Sequence, residues 1–203
     1  MTNTKKYNII YCDPPWKYRQ GKSIGTHFEG AADRHYPCMD YREICKLPIK
    51  EITDKNCILF LWATFPQLKE ALAVIEAWGF EYKTLGFLWV KIYPNKPFQE
   101  VFGVGYYTKS NAEICLLATK GKAHSLVKSN SISQIIKAPK GKHSEKPAIV
   151  RTKIIELVGN IPRIELFARS SQKVENGWVN VGYDVDGCDI KDSLQKITDG
   201  TYL

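Results

Sequence analysis

The sequence predicts a single α/β domain over residues 1–203, built on a mainly parallel, doubly wound sheet. Three observations predict it. Short apolar runs of strand length recur along the chain. Between them lie stretches whose apolar residues return at helical spacing. With 44% hydrophobic and 12% aromatic residues in 203, the chain also has enough apolar matter for a full core.

The elements follow in order. Tyr7 to Cys12 is apolar and stops at a double proline, as a buried strand does. Residues 17–38 are rich in Gly, Lys and Arg and lack periodicity, which predicts a long functional loop. Residues 57–62 (CILFLW) form a second buried strand. Thr64 then precedes Phe65-Pro66, and Leu68, Ala71, Leu72 and Ile75 recur at helical spacing up to Gly79. That reads as a helix capped by Thr64. Residues 82–90 read as a strand, 93–110 as a second long loop, and 112–119 (AEICLLAT) as a further strand. A short strand is expected at 134–137. Pro147 opens a helix whose stripe is Ile149, Ile154, Ile155 and Val158, and Gly159 ends it. Residues 163–167 (RIELF) close the core. No repeat or low-complexity linker interrupts the pattern.

Composition narrows function. No apolar run is long enough to span a bilayer, and the polar stretch from Met1 to Lys6 lacks the apolar core of a signal peptide. A soluble, cytoplasmic protein without membrane contact is therefore expected. The six cysteines (Cys12, Cys38, Cys45, Cys57, Cys115, Cys188) form no CxxC pair and have no His at zinc-ligand spacing, so reduced thiols and no metal are expected. The formal net charge of +8 suits a polyanionic partner, because neutralising phosphates releases counterions.

The chemistry concentrates at Asp13-Pro14-Pro15-Trp16, directly after the first strand. Ligands of such sheets bind beyond the carboxyl ends of strands. A carboxylate there accepts a hydrogen bond from an amino group. The prolines stiffen the next turns and turn the Pro14 carbonyl toward the cleft. Trp16 offers a flat face for a base. Together they can hold an exocyclic amine by its hydrogens and leave its lone pair aimed at an electrophile. The plainer alternative is a strand–turn with a capping Asp and a core Trp.

Residues 11–16 resemble the DPPW motif of the MT-A family of adenine-N6 methyltransferases, which includes the catalytic subunit of the mRNA adenosine methyltransferase and short bacterial and phage DNA enzymes. The likeness continues in order. It takes in residues 35–39 (HYPCM), 61–64 (LWAT), 89–91 (WVK), 111–116 (NAEICL) with Lys120-Gly121, 143–147 (HSEKP), 163–169 (RIELFAR) and Gly177-Trp178. It spans 7–187.

The resemblance implies a Rossmann-like S-adenosylmethionine-dependent methyltransferase of the permuted β-class motif order, with the catalytic motif first and the cofactor strand last. Asp13, Pro14, Pro15 and Trp16 would be catalytic. Trp16, Tyr36, Lys91 and Glu113 would contact the substrate base. Asp13, Lys146, Glu165, Leu166, Phe167, Arg169, Ser171, Gln172 and Asp184 would hold S-adenosyl-L-methionine. Lys146 and Arg169 suit the methionine carboxylate, and Glu165 or Arg169 the ribose; a structural Glu165–Arg169 pair is the competing reading. The chain departs from the mRNA enzyme at Tyr183-Asp184, where an Asn-Gln pair stands, and at Ser170-Ser171-Gln172, where Pro-His-Asn stands.

The implied reaction is methylation of adenine N6 in DNA, within a bacterial or phage-infected cell. RNA as substrate, a non-catalytic nucleic-acid-binding subunit, and another amine such as cytosine N4 are the rival readings. A monomer or homodimer is expected, with a heterodimer left open. The basic and aromatic residues of 17–38 and 93–110 are expected to form the nucleic-acid groove.

Overall fold

The computed structural model describes residues 5–17, 38–103, 107–141, 145–170 and 172–203. Along the chain run β1 (Tyr7–Cys12), α1 (Tyr41–Cys45), α2 (Ile49–Ile52), β2 (Thr53–Ala63), α3 (Leu68–Ala77), β3 (Glu81–Tyr93), β4 (Lys96–Glu100), β5 (Ala112–Lys120), β6 (Ile135–Pro139), α4 (Ile149–Val158), β7 (Arg163–Leu166), β8 (Val174–Glu175), β9 (Trp178–Val181), α5 (Tyr183–Asp186) and α6 (Ile190–Thr198).

The strands make one sheet in the order β4-β3-β5-β2-β1-β7-β9-β8, with β6 also on β3. The central run is parallel: β1 pairs with β2 and β7, and β7 with β9. β5, however, runs antiparallel to both β2 and β3, and β3–β4 and β8–β9 are antiparallel too. The sheet is thus mixed rather than mainly parallel. The cause is local. No helix is described between β3 and β5, and without a crossover the returning strand comes back antiparallel.

Both faces of the sheet are covered, which is why its central strands read as unbroken apolar runs. Ile10, Cys12, Leu59 and Leu61 point to one core, shared with α1, α2, α3 and α6. Ile9, Tyr11, Ile58, Phe60 and Trp62 alternate to the other, shared with α4 through Val150, Ile154 and Val158. Trp62, Trp78, Trp178 and Phe60 are almost wholly buried. Each such side chain contributes roughly 1.5–3 kcal/mol by leaving water.

Local signals explain most boundaries. Asp40 caps α1 in a reciprocal box with Glu43, and Asp189 caps α6 by accepting from Lys191 N at 2.8 Å. Gly159 ends α4 at φ 77°, a conformation that favours glycine. The expected cap at Thr64 differs. Its side chain makes no capping bond, and a single 3-10 turn, Phe65–Gln67, precedes α3.

Two further differences matter for the site. Residues 93–110 are not wholly loop, because β4 folds back on β3 inside them. The second is at the C-terminal end, where β9 and α6 add a buried strand and a capped helix that the sequence reading left out. Most of 17–38, with Tyr36, lies outside the described residues, as do His143, Ser144 and Ser171. No disulfide joins the cysteines; Cys12, Cys57 and Cys115 are buried, and Cys38, Cys45 and Cys188 half-buried. Among the described residues no helix is long and apolar enough to cross a membrane.

Candidate active site

A cleft of about 510 Å³ opens at the carboxyl ends of β1, β2, β7 and β9. Asp13 to Trp16 enter it from the tip of β1, Ala63 and Thr64 from β2, Phe167 to Arg169 from β7 and Gly182 to Asp184 from β9. Glu113 joins them because β5 is antiparallel: its first residues lie beside the last residues of β2 and β3, with Ile114 opposite Ala63 and Glu113 opposite Trp89. Lys146 arrives from the segment before α4.

These residues form a row of alternating charge. The Lys91 ammonium lies 2.5 Å from Glu113 Oε1. Lys146 Nζ lies 3.2 Å from Glu113 Oε2 and 2.7 Å from Asp13 Oδ2. The row rests on aromatic faces, with Lys146 Nζ 5.6 Å from the Trp62 ring centre and Lys91 Nζ 5.1 Å from that of Trp89.

The charges set one another. Burial pushes the Asp13 carboxyl above its ordinary value and outweighs the Lys146 ammonium beside it. Burial also works to raise Glu113, but Lys146 and Lys91 together hold it below the ordinary carboxylate range. Burial opposes charge on Lys146, yet Asp13 and Glu113 win and keep it a firmly held cation.

The turn after β1 is rigid. Trp16 N donates to the Pro14 carbonyl at 2.8 Å, and Met39 N donates to the Pro15 carbonyl at 2.8 Å. Trp16 is only 5% exposed, and its Nε1 donates to the Trp62 carbonyl at 3.0 Å. It therefore packs as a core residue while one part of it lines the cleft. Trp62 Nε1 donates in turn to the Tyr11 hydroxyl at 2.9 Å.

The structure brings Asp13, Pro14, Pro15, Trp16, Glu113, Lys146, Phe167, Arg169 and Asp184 together around the cleft. Lys91 stands one residue behind, through Glu113. Three expected cofactor residues are elsewhere. Leu166 is fully buried in the core. Glu165 points to the opposite face of β7, where Arg151 Nη1 lies 3.3 Å from its Oε2, so its partner is Arg151 and not Arg169. Burial raises its carboxyl to about 7. Gln172 is exposed, and its carbonyl accepts from Asn180 Nδ2. Alternation along β7 decides this: only the residues past its end, Phe167 and onward, can turn into the cleft.

Sequence reading missed the other wall. Gly182, Cys188, Asp189 and Ile190 line it. A signal existed in Asp189 before Ile190, Leu194 and Ile197, a capped helical stripe. A Cβ on Gly182 would sit 2.6 Å from the Ala168 carbonyl and 2.8 Å from its nitrogen, so the turns after β7 and β9 pack backbone to backbone.

Comparisons with known proteins give the family. The MT-A70 family model matches residues 7–184. The type II methyltransferase M.MunI of Mycoplasma sp is 36% identical over 194 residues, covering 89% of this chain and 78% of that protein. The N(6)-adenosine-methyltransferase MT-A70-like protein of Drosophila melanogaster is 24% identical over 95% of the chain, and the human N(6)-adenine-specific methyltransferase METTL4 is 27% identical over 89%. The chain spans only 29% and 38% of the length of those last two.

Proposed function

The chain belongs to the MT-A70 family, and from that membership we propose that it transfers a methyl group from S-adenosylmethionine to the N6 amino group of adenine in DNA. The family and these relatives make it an adenine-N6 methyltransferase. DNA as the polymer, S-adenosylmethionine as the donor and the residue roles below are proposed. The observation that carries the donor and the residue roles is the Asp13 carboxylate, held by Lys146 at the rim of a cleft large enough for a nucleoside-sized cofactor, and DNA rests on the likeness to the type II methyltransferase.

The residues present fit that cofactor. Arg169 supplies a cation for the methionine carboxylate, and Asp184 an acceptor for ribose hydroxyls. Ala168 and Gly182, whose backbones pack against each other, form the wall beside them. When bound, the cofactor supplies an electrophilic methyl on a sulfonium.

The protein's own part is positioning. The adenine amine is a poor nucleophile because its lone pair is delocalised into the ring. With Lys146 holding Oδ2 of Asp13, Oδ1 accepts one amine hydrogen, and the remaining lone pair of the Pro14 carbonyl accepts the other. Two acceptors on the hydrogens favour a nitrogen nearer tetrahedral and fix its direction of attack. Burial raises the proton affinity of Asp13, which suits it to take the proton the amine loses. Glu113 holds Lys146 from behind, and Lys91 holds Glu113. Duplex DNA would have to flip the adenine into this site.

The test compares transfer of labelled methyl from S-adenosylmethionine to single-stranded DNA, duplex DNA and RNA of matching sequence. N6-methyladenine in DNA supports the proposal. Faster methylation of RNA would move the substrate, and no transfer to any of the three would refute the reading.

A further inference from the structure

Two residues beyond Lys91 the sheet throws out a hairpin. β3 ends at Tyr93, Pro94-Asn95 turn the chain, and β4 returns with Lys96 opposite Tyr93. Past β4, Gly103 and Ser110 pair in both directions, Gly103 N donating at 2.6 Å and Ser110 N at 3.0 Å.

What these segments expose is unusual. Phe98 and Tyr107 are each 100% exposed, Phe102 is 54% and Tyr93 42%. Large aromatic side chains left in water cost hydrophobic free energy, and clustered ones mark a contact surface. The cations sit among them. Lys109 Nζ lies 5.5 Å from the Phe102 ring centre, and Lys96 stands across from Tyr93. The surface also adjoins the catalytic row, since Lys91 of the same strand pairs with Glu113, and Glu113 with Lys146 and Asp13.

We infer that this aromatic and basic hairpin surface is the platform on which unpaired bases flanking the target adenine stack. The reading rests on the proposed nucleic-acid substrate and specifies how it is held. Flat rings accept any base, and interspersed ammonium groups meet the phosphates, so such a surface binds single-stranded nucleic acid with little sequence preference. A protein partner would also cover exposed aromatics. The charge favours the polyanion, since the whole chain carries a net +8.

The experiment uses the full chain and two variants, Phe98→Ala/Tyr107→Ala and Lys96→Gln/Lys109→Gln. A short fluorescein-labelled single-stranded DNA with one adenine reports binding by anisotropy, and labelled S-adenosylmethionine reports turnover on the same strand. The aromatic variant should raise Kd and KM for the strand by about tenfold or more, leaving kcat and calorimetric cofactor affinity unchanged. The lysine variant should flatten the salt dependence of binding. Unchanged Kd and KM in the aromatic variant would overturn the platform. So would a wild-type dimer that becomes monomeric in that variant with its strand affinity intact, which would make the surface an interface between copies. The proposed reaction fails separately, if the unmodified protein binds the strand and transfers no methyl.

Discussion

Lys146 Nζ and Asp13 Oδ2 stand 2.7 Å apart across 133 residues of sequence. The pair joins the tip of the first strand to the segment before α4, and both side chains are mostly buried. It leaves one oxygen of Asp13 for the substrate and ties the catalytic turn to Glu113 and Lys91. Several expectations follow from that arrangement and from the cleft beside it.

Asp13→Ala removes the acceptor of the amine hydrogen. Turnover should fall at least about a hundredfold, while a cooperative melting transition remains at a temperature lowered by the loss of the Lys146 partner. Retention of a third of wild-type turnover would take Asp13 out of the reaction.

Lys146→Met leaves two carboxylates facing an apolar side chain. Loss of one partner of a buried ion pair costs about 3–5 kcal/mol. In the variant Asp13 and Glu113 lose the cation between them, so their folded-state pKa values rise and its deficit should grow as pH rises through the carboxylate range. Urea unfolding in mildly acidic and in neutral buffer measures this. A deficit no larger at neutral pH would contradict the buried row of charge.

Arg169→Ala should weaken S-adenosylmethionine binding by about 1.5–3 kcal/mol, roughly tenfold or more in Kd. Calorimetry on the intact chain reads it directly. Unchanged affinity would displace the methionine carboxylate from the turn after β7.

Glu165 has the opposite pH signature from a stabilising carboxylate. Its folded pKa is raised to about 7 from an ordinary 4.5. Below about 4.5 both folded and unfolded states are protonated. Between the two values only the unfolded chain ionises, so stability falls as pH rises and levels off above about 7. Across that window wild type should lose about 3 kcal/mol relative to Glu165→Gln. Parallel stability profiles for the two proteins would show that Glu165 is not held protonated.

Much of this was legible in the chain itself. The Asp13-Pro14-Pro15-Trp16 turn, the strands at its two sides and the helix opened by Pro147 follow from local signals: apolar runs buried on both faces, a double proline that cannot continue a ladder, and a proline at a helix start. Arg169 and Asp184 came from the family resemblance, and the structure places both just past strand ends, where such a sheet holds its ligands.

Tertiary structure alone decided the rest. The antiparallel direction of β5 puts Glu113 at the catalytic edge; a run of nine residues reads the same in either direction. The partner of Glu165 is Arg151 because alternation about the end of β7 turns Glu165 away from the cleft, a matter of one residue in register. Trp16 packs into the core because the Trp62 carbonyl lies 3.0 Å from its indole nitrogen. Sequence order specifies which groups exist and which local turns they make. Which of them meet depends on strand direction and register, and those are set by contacts between residues far apart in the chain.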